Sequence, residues 1–275
     1  MPLALLPDRA VVAVTGADAS SFLQGLLTCN VETLPEGEAR LGALLSPQGK
    51  ILFDFLVSRA PDGFRLDVAR DRVPDLVKRL TLYKLRAKVT IAALPLAVAA
   101  GWGTDAPSSA LRDGRLAALG WRLYAPEVPA ADADAEAYAA HRIGLGVPEG
   151  GTDFALADAF PHEALMDQLG GVDFKKGCYV GQEVVSRMQH RSTARTRIVP
   201  VRYPDGRAVP AGTPVTAGER SLGQTGSAAG DRGLALLRLD RLADALSAGD
   251  VPVADGRPVQ VERPGFATFP WPIAG

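Results

Sequence analysis

The residues best suited to chemistry lie in one segment, Lys-Lys-Gly-Cys-Tyr-Val-Gly-Gln-Glu at positions 175–183. The segment places Cys178, one of two cysteines in a chain of 275 residues, between lysines and a glycine. Apolar residues recur at helical spacing from Val180 onward, which predicts that a helix starts there. A helix N-terminus and nearby ammonium groups favour the thiolate form of a cysteine. The segment therefore predicts a reactive thiol at Cys178, with a buried structural cysteine as the alternative.

Three other segments carry residues that commonly bind ligands. Gln24 stands before a glycine at the end of an apolar helical stretch, and Lys50 follows a Ser-Pro-Gln-Gly turn. Arg86 belongs to a Tyr-Lys-Leu-Arg-Ala-Lys run, in which an aromatic residue precedes three cations suited to carboxylates or phosphates. Each segment also has a structural interpretation: a helix stop, a hairpin turn and a solvated helix end, respectively.

Composition and spacing narrow the class of protein. A formal net charge of −1 argues against broad binding to nucleic acid. The two cysteines form no CxxC pair and no zinc spacing, so we expect no metal site and a reducing compartment. No apolar run is long enough to cross a bilayer, and the first residues do not have the pattern of a signal peptide. These features predict a cytoplasmic protein without a membrane or direct nucleic-acid partner.

The order of predicted elements indicates an α+β fold with mainly antiparallel sheets. The first two domains are predicted to be ferredoxin-like units, and the short strands after residue 195 predict a small β-barrel. A hairpin is predicted for residues 39–58 and an amphipathic helix for residues 73–82. The predicted domains are residues 1–95, residues 96–195, which carry the cysteine segment, and residues 196–275.

Several segments, taken in order, resemble the YgfZ family of folate-binding proteins. The most specific is Lys-Gly-Cys-Tyr-Val-Gly-Gln-Glu at positions 176–183. The other matching segments, which are weaker individually, are residues 22–28, 45–51, 83–89 and 142–148. The family includes the mitochondrial assembly factor for [4Fe–4S] proteins, and it is similar to the T-protein, the aminomethyltransferase of the glycine cleavage system. The chain departs from the family pattern at Leu165 and at Cys29-Asn30, where asparagines are common.

The resemblance implies a fold and a cofactor. It implies two ferredoxin-like units and a C-terminal β-barrel around a central cavity that binds tetrahydrofolate or a one-carbon derivative. It also implies a role in assembling or repairing iron–sulfur proteins, including radical enzymes that modify tRNA, with iron–sulfur proteins or cluster carriers as partners. Cys178 is then the reactive residue. The residues expected to hold the folate or orient the loop are Lys176, Gly177, Tyr179, Gln182, Glu183, Arg187, Gln24, Lys50 and Arg86.

Two alternatives share this predicted fold. One is a folate-dependent aminomethyltransferase or methyltransferase of the T-protein type, which would use an acidic residue to hold the folate amine. Asp54, Asp67 and Glu163 are the candidates for that role. The other alternative is a scaffold that has lost ligand binding. Because the fold is common to all three, the site must decide between them.

Overall fold

A computed structural model describes residues 2–103, 105–191 and 194–271. The chain forms two compact units, and it passes between them more than once. Unit 1 comprises Met1–Tyr138 and Leu169–Val184, and unit 2 comprises Ala139–Gln168 and Val185–Gly275. No helix in the described ranges is both long and apolar enough to cross a bilayer.

A nine-stranded sheet forms the framework of unit 1. Its strands are β1 (Leu3–Leu5), β2 (Arg9–Thr15), β3 (Glu38–Leu45), β4 (Ile51–Ala60), β5 (Gly63–Ala69), β6 (Thr90–Leu94), β7 (Ala97–Gly101), β8 (Leu111–Asp113) and β9 (Trp121–Ala125). They lie in the order β1-β7-β9-β8-β3-β4-β5-β2-β6. Every neighbouring pair is antiparallel except β3 and β8. The mainly antiparallel α+β class predicted from the sequence is confirmed.

The predicted hairpin is present as β3 and β4. Its turn is closed by hydrogen bonds from the Ser46 amide to the Lys50 carbonyl (2.8 Å) and from the Gly49 amide to the Ser46 carbonyl (2.9 Å). Gly49 has a φ of +81°, a conformation that glycine adopts without steric cost. The turn therefore fixes the register in which β3 and β4 pair.

Two helices pack on the sheet of unit 1 and form an apolar core with it. They are α1 (Ala19–Gln24) and α2 (Val73–Lys84). Leu23 of α1 and Leu76 and Leu80 of α2 are buried in one cluster with Phe55 and Leu66 from the sheet. The predicted amphipathic helix is confirmed, because Leu76 and Leu80 are buried and Val73 and Val77 pack against the same core.

Residue 95 does not separate two sheets. β6 and β7 flank it in sequence, but both strands belong to the nine-stranded sheet, where β6 pairs with β2 and β7 lies between β1 and β9. β7 and β9 lie within the predicted second domain, residues 96–195, but both are strands of this same sheet. Long-range strand pairing, which local sequence patterns do not encode, decides their membership.

Unit 2 contains an antiparallel seven-stranded sheet. Its strands are β10 (Thr196–Arg202), β11 (Pro214–Ala217), β12 (Arg220–Ala229), β13 (Arg232–Arg238), β14 (Val253–Ala254), β15 (Arg257–Pro258) and β16 (Gln260–Val261). Their order is β15-β14-β11-β12-β13-β10-β16. The described residues contain three further α-helices, α3 (Ala135–Gly144), α4 (Gln182–Arg191) and α5 (Leu239–Ser247). The predicted change to short strands after residue 195 is confirmed.

A buried polar group joins the segment 139–168 to the sheet of unit 2. The Asp153 carboxylate accepts hydrogen bonds from the Arg142 guanidinium (2.7 Å), the Glu149 amide (2.9 Å) and both the amide and hydroxyl of Ser227 (2.8 and 2.6 Å). Asp153 and Arg142 are both buried. Charge-assisted bonds of this kind offset the cost of burying two charges, so the segment is fixed to β12.

Candidate functional site

Cys178 lies on an irregular loop of unit 1, and its side chain is exposed. The helix that follows, α4, begins at Gln182 and not at Val180 as the spacing predicts. Gly181 has a φ of +82°, which ends the loop with a turn and delays the helix. Cys178 therefore stands four residues before the helix, outside the first turn where the dipole acts most strongly.

Lys176 fastens this loop to the connection between α1 and β3. Its ammonium group donates hydrogen bonds to the carbonyl oxygens of Gln24 (2.7 Å), Leu27 (2.7 Å) and Cys29 (2.9 Å). It also lies 5.3 Å from the centroid of the Tyr179 ring. An ammonium group has three hydrogens, and the three carbonyls accept all of them. The structure thus gives Lys176 an internal anchoring role instead of the predicted contact with a folate tail.

Burial affects the ionisation of Lys176. Only 7% of the residue is exposed. This desolvation lowers the pKa of the lysine, while Cys29, Asp173 and Glu32 act in the opposite direction. The three carbonyl dipoles are the groups that hold the ammonium in place, since no carboxylate forms an ion pair with it among the described residues.

Asp173 shapes the loop just before Lys176. Its carboxylate accepts hydrogen bonds from the amides of Lys175 (2.7 Å) and Lys176 (3.1 Å), which makes an Asx turn. Burial alone would raise the pKa of Asp173, but these amides and the Asn30 side chain outweigh it and lower the pKa. The Asp173 amide in turn donates to the Thr28 carbonyl (2.9 Å). The loop therefore starts from a fixed, ionised carboxylate.

Thr28 and Gln24 hold the connection between α1 and β3, which is the segment that the Lys176 ammonium contacts. The Thr28 hydroxyl donates to the Gly171 carbonyl (2.6 Å) and accepts from the Ala43 amide (2.9 Å), so it links the loop to β3. The Gln24 side chain accepts from the Val31 amide (3.0 Å) and donates to the Asn30 side chain (3.2 Å). Gln24 thus holds the turn after α1 and presents its carbonyl to the loop, which is a different role from the predicted cofactor contact.

The hairpin turn after β3 packs against the other end of the loop. A Cβ atom on Gly181 would lie 2.5 Å from the Ser46 carbonyl oxygen and 3.1 Å from the Gly49 Cα. A Cβ on Gly49 would lie 3.0 Å from the Cβ of Val184. These two glycines permit a close approach of chain to chain, and the approach places the turn that carries Lys50 beside the first turn of α4.

Tyr179 and Cys29 are buried within the same region. The Tyr179 hydroxyl has no hydrogen-bond partner in the described part of the chain, and burial, together with Asp173, raises its pKa. Burial also raises the pKa of the Cys29 thiol to about 11, although Lys176 and Arg40 act to lower it. Cys29 is therefore a protonated core residue, while Cys178 is the accessible thiol of the pair.

The remaining predicted site residues are more exposed. Gln182 and Lys50 are partly exposed, and Glu183 and Arg187 are exposed on α4. A Cβ on Gly177 would meet nothing within 4 Å, so this glycine is not required by packing. Arg86 is exposed just beyond α2. No hydrogen bond or ion pair described here links it to the cysteine loop.

Asp173 and Thr28 are site residues that the sequence patterns did not indicate. The Asp-x-Lys-Lys spacing at 173–176 is an Asx-turn signal, and it offers a way to find Asp173. Thr28 gives no such signal, because its role depends on a contact 143 residues away. Within the ranges that the structure describes, no group of three His, Cys, Asp or Glu side chains is arranged to hold a metal ion.

Unit 2 has a separate cleft of about 370 Å³. His162, Arg197 and Phe269 line it. The Arg197 guanidinium donates to the Asp167 carboxylate (2.6 Å) and to the His162 carbonyl (2.8 Å), and it lies 4.5 Å from the centroid of the Phe269 ring. Burial lowers the pKa of His162, so the neutral imidazole is favoured. The Arg197 guanidinium in this cleft is thus already paired with the Asp167 carboxylate.

Comparison with solved structures defines the class of fold. The chain is similar to the glycine cleavage system aminomethyltransferase T from Bartonella henselae, with a TM-score of 0.74 over 98% of this chain and 87% of that protein. At 16% identity, this likeness shows the fold alone. Residues 195–269 match the family model of the CAF17 C-terminal beta-barrel domain. The chain therefore has a mixed α+β, T-protein-like fold with a C-terminal β-barrel, as predicted.

Comparison with sequences identifies the family. The chain is 31% identical to the mitochondrial iron-sulfur cluster assembly factor IBA57 homologue of Coccidioides immitis, over 89% of this chain and 73% of that protein. It is 32% identical to the mitochondrial iron-sulfur cluster assembly factor IBA57 of Homo sapiens, over 86% of this chain and 77% of that protein. The chain belongs to the IBA57 family.

These relatives refine one prediction and overturn another. The resemblance to the YgfZ family is confirmed only as kinship with an iron–sulfur assembly family of T-protein-like fold. The prediction of a cytoplasmic protein is wrong, because the relatives in Coccidioides immitis, Pyricularia oryzae and Homo sapiens are all named as mitochondrial proteins. The prediction relied on the absence of a targeting pattern, which does not identify a compartment.

Proposed function

We propose that this protein assists the assembly or repair of iron–sulfur proteins by presenting the Cys178 thiol to a cluster or to a partner protein. The proposal rests on the difference in exposure between neighbouring side chains of one loop. Lys176 and Tyr179 are buried, whereas Cys178 between them is exposed. An exposed thiol on an anchored backbone suits contact with another molecule, because little ordering entropy remains to be lost on binding. The kinship with IBA57 supports the same function.

A partner must supply the other ligands in any contact with a cluster. Clusters of the [4Fe–4S] type are commonly held by four cysteine thiolates. This protein has one exposed cysteine and one buried cysteine. The cluster is therefore cargo that passes through a shared complex, with Cys178 as one contact. The client proteins include radical enzymes that modify tRNA.

The finer part of the proposal is that the protein binds tetrahydrofolate, a carrier of one-carbon units. Glu183 and Arg187 lie four residues apart on α4, so they share one face of the helix. A carboxylate suits the N–H groups of a pterin ring, and a guanidinium suits the carboxylates of the glutamate tail. Lys50, on the turn that packs beside α4, adds a second cation. The donor set therefore fits a folate, with Gln182 as a neutral neighbour.

Calorimetry with tetrahydrofolate tests the folate proposal. We expect wild-type protein to bind tetrahydrofolate and Arg187→Ala to bind it at least about tenfold more weakly, which corresponds to about 1.4 kcal/mol. Arg191→Ala, at the exposed end of the same helix, is the matched control and should bind as wild type does. Undetectable binding by the wild-type protein would remove folate from the proposed function.

Replacement of each cysteine tests the role of the thiol. In cells that depend on this protein, Cys178→Ser should abolish support of [4Fe–4S] enzyme activity and lower the content of thiolated tRNA. Cys29→Ser is the matched control, because Cys29 is buried and its thiol is protonated. Normal enzyme activity with Cys178→Ser, at an equal level of folded protein, would contradict the proposed role.

The T-protein-like fold favours one second candidate, a folate-dependent aminomethyltransferase or methyltransferase. Of the three acidic candidates, Asp67 is committed to a buried ion pair with Arg9 (2.8 Å) and a hydrogen bond from Tyr124 (3.1 Å). Glu163 accepts a hydrogen bond from the Phe160 amide (2.8 Å). Asp54 lies partly exposed on β4. Turnover of an aminomethyl or N-methyl donor by the purified protein, lost in Asp54→Asn, would favour this candidate.

A further inference from the structure

The C-terminal end of α2 presents an exposed apolar surface. Leu82 is 63% exposed and Leu85 is 89% exposed, and these are the two most exposed large hydrophobic side chains among the described residues. We call residues 78–88 the α2 tip. The face that α2 turns to the core continues from Leu80 to Tyr83, and neither Leu82 nor Leu85 belongs to that core cluster.

The backbone at Leu85 is held in an unusual conformation. Leu85 follows the last residue of α2 and has φ and ψ of +43° and −105°. Helices commonly use glycine where φ must be positive after the last turn, because a side chain there is strained. Such strain costs about 1–3 kcal/mol. Leucine at this position is thus unfavourable twice, through its backbone and through its exposed apolar side chain, and folding of the chain alone does not explain its presence.

Hydrogen bonds fix the tip in this conformation. The Ala87 amide donates to the Lys84 carbonyl (2.7 Å), and the Lys88 amide donates to the Asp18 carboxylate (2.7 Å). A Cβ on Gly16 would lie 2.3 Å from the Lys88 carbonyl oxygen, so the chain passes closely over that glycine. The tip is a preformed protrusion, and a preformed surface loses little entropy on binding.

The tip is strongly cationic in a chain whose net charge is −1. It carries Lys78, Arg79, Lys84, Arg86 and Lys88 and no acidic residue. None of these five side chains forms an ion pair with a residue that the structure describes. Attraction to the helix C-terminus accounts for a cation in the last turn, as at Lys84. It does not account for Arg86 and Lys88 beyond the helix or for Lys78 and Arg79 before its last turn.

We propose that the α2 tip docks an acidic segment of a partner protein that carries apolar side chains. Leu85 and Leu82 would enter the partner as central apolar contacts, and the surrounding cations would pair with its carboxylates and speed the encounter. This interaction is independent of Cys178 and extends the proposed function by giving the protein a second surface for recruitment.

An anionic membrane would also match the positive charge, but the apolar part argues against it. A helix that lies on a membrane needs an apolar face along its whole length. In α2 that face is buried, since Leu76 and Leu80 belong to the core of unit 1. Two leucines at one end suit a pocket or groove of a protein better than a lipid surface.

Fluorescence anisotropy with labelled peptides tests the proposal. The probe is a short peptide of glutamates with leucines at helical spacing. Two control peptides replace its glutamates by lysines or its leucines by serines. We expect the wild-type protein to bind the probe more tightly than either control peptide, and added salt to weaken binding. We expect Leu85→Gly and Arg86→Glu each to weaken it about tenfold.

Two matched variants complete the experiment. Val251→Ser removes a side chain that is 59% exposed in unit 2, and it should leave probe binding unchanged. Leu85→Gly should be at least as stable as wild type in urea, so that its weaker binding cannot come from unfolding. Cys178→Ser should bind the probe normally, which separates this proposal from the proposed function.

Three results would overturn the docking proposal. The first is equal binding of the probe and its control peptides. The second is unchanged binding of the probe by Leu85→Gly. The third is binding to vesicles that contain phosphatidylserine without binding to the probe, which would assign the tip to a membrane surface.

Discussion

The anchoring of the cysteine loop by Lys176 leads to a sharp prediction for Lys176→Met. Methionine keeps most of the length and volume of the lysine stem, but it cannot donate hydrogen bonds. The carbonyls of Gln24, Leu27 and Cys29 would each lose a partner at 2.7–2.9 Å. We expect the variant to fold with a loosened loop and a lower free energy of unfolding.

The magnitude follows from the cost of leaving buried acceptors unpaired. Each buried acceptor without a partner costs about 1–3 kcal/mol. Two effects keep the total below the simple sum. Burial lowers the pKa of Lys176, which means that the ammonium pays a desolvation cost that methionine does not. Some carbonyls would also regain water as the loop moves. We expect a loss of about 3 kcal/mol, or about 6–12 °C in Tm.

Lys175→Met is the matched control for this experiment. Lys175 is the exposed neighbour in the same loop, and replacing it should change stability by no more than about 0.5 kcal/mol. Both variants are measured by thermal and urea denaturation, and hydrogen exchange of the loop amides reports the loosening directly. If Lys176→Met is as stable as Lys175→Met, the three carbonyl contacts do not carry the anchoring that we assign to them.

Two further changes test the packing and electrostatics of the units. Gly181→Ala should lower the free energy of unfolding in urea by at least about 2 kcal/mol, because it combines a positive φ with a Cβ 2.5 Å from the Ser46 oxygen. Gly177→Ala is the control. Its Cβ would meet nothing within 4 Å, so the change in stability should be less than about 0.5 kcal/mol. Burial lowers the pKa of His162 from 6.5, so the unfolded chain takes up the proton more readily and stability should fall as the pH drops below 6.5. His162→Gln should show a smaller loss on the same titration, and an identical pH dependence would refute the assignment.

Elements that are determined by residues close together in the sequence could be predicted. The β3–β4 hairpin follows from two strand-like runs around a Pro-Gln-Gly turn, and α2 follows from apolar residues at helical spacing. The short strands of unit 2 follow from closely spaced turn residues. In each case the residues that determine the element lie within it, so no knowledge of distant parts of the chain is needed.

Sheet membership and the site depended on contacts that the sequence does not display. β9 lies within the predicted second domain, yet it pairs with β7 and β8 in the nine-stranded sheet. Leu165 illustrates a subtler case. It has a φ of +58°, a conformation that asparagine tolerates better than leucine. No local signal in the sequence indicates this backbone conformation at a leucine.

The two cysteines differ in their surroundings, and this difference gives them different properties that the sequence alone does not reveal. Cys29 is packed so tightly that a Cβ on Gly42 would lie 2.6 Å from its sulfur, and burial keeps its thiol protonated. The Lys176 ammonium, which the sequence suggests as an activator of Cys178, is instead bonded to the backbone carbonyl of Cys29. The lysine of the motif thus fixes the backbone of the loop on which Cys178 is exposed. The motif therefore holds one accessible thiol on a fixed backbone, which is the feature on which the proposed contact with a cluster or partner protein depends.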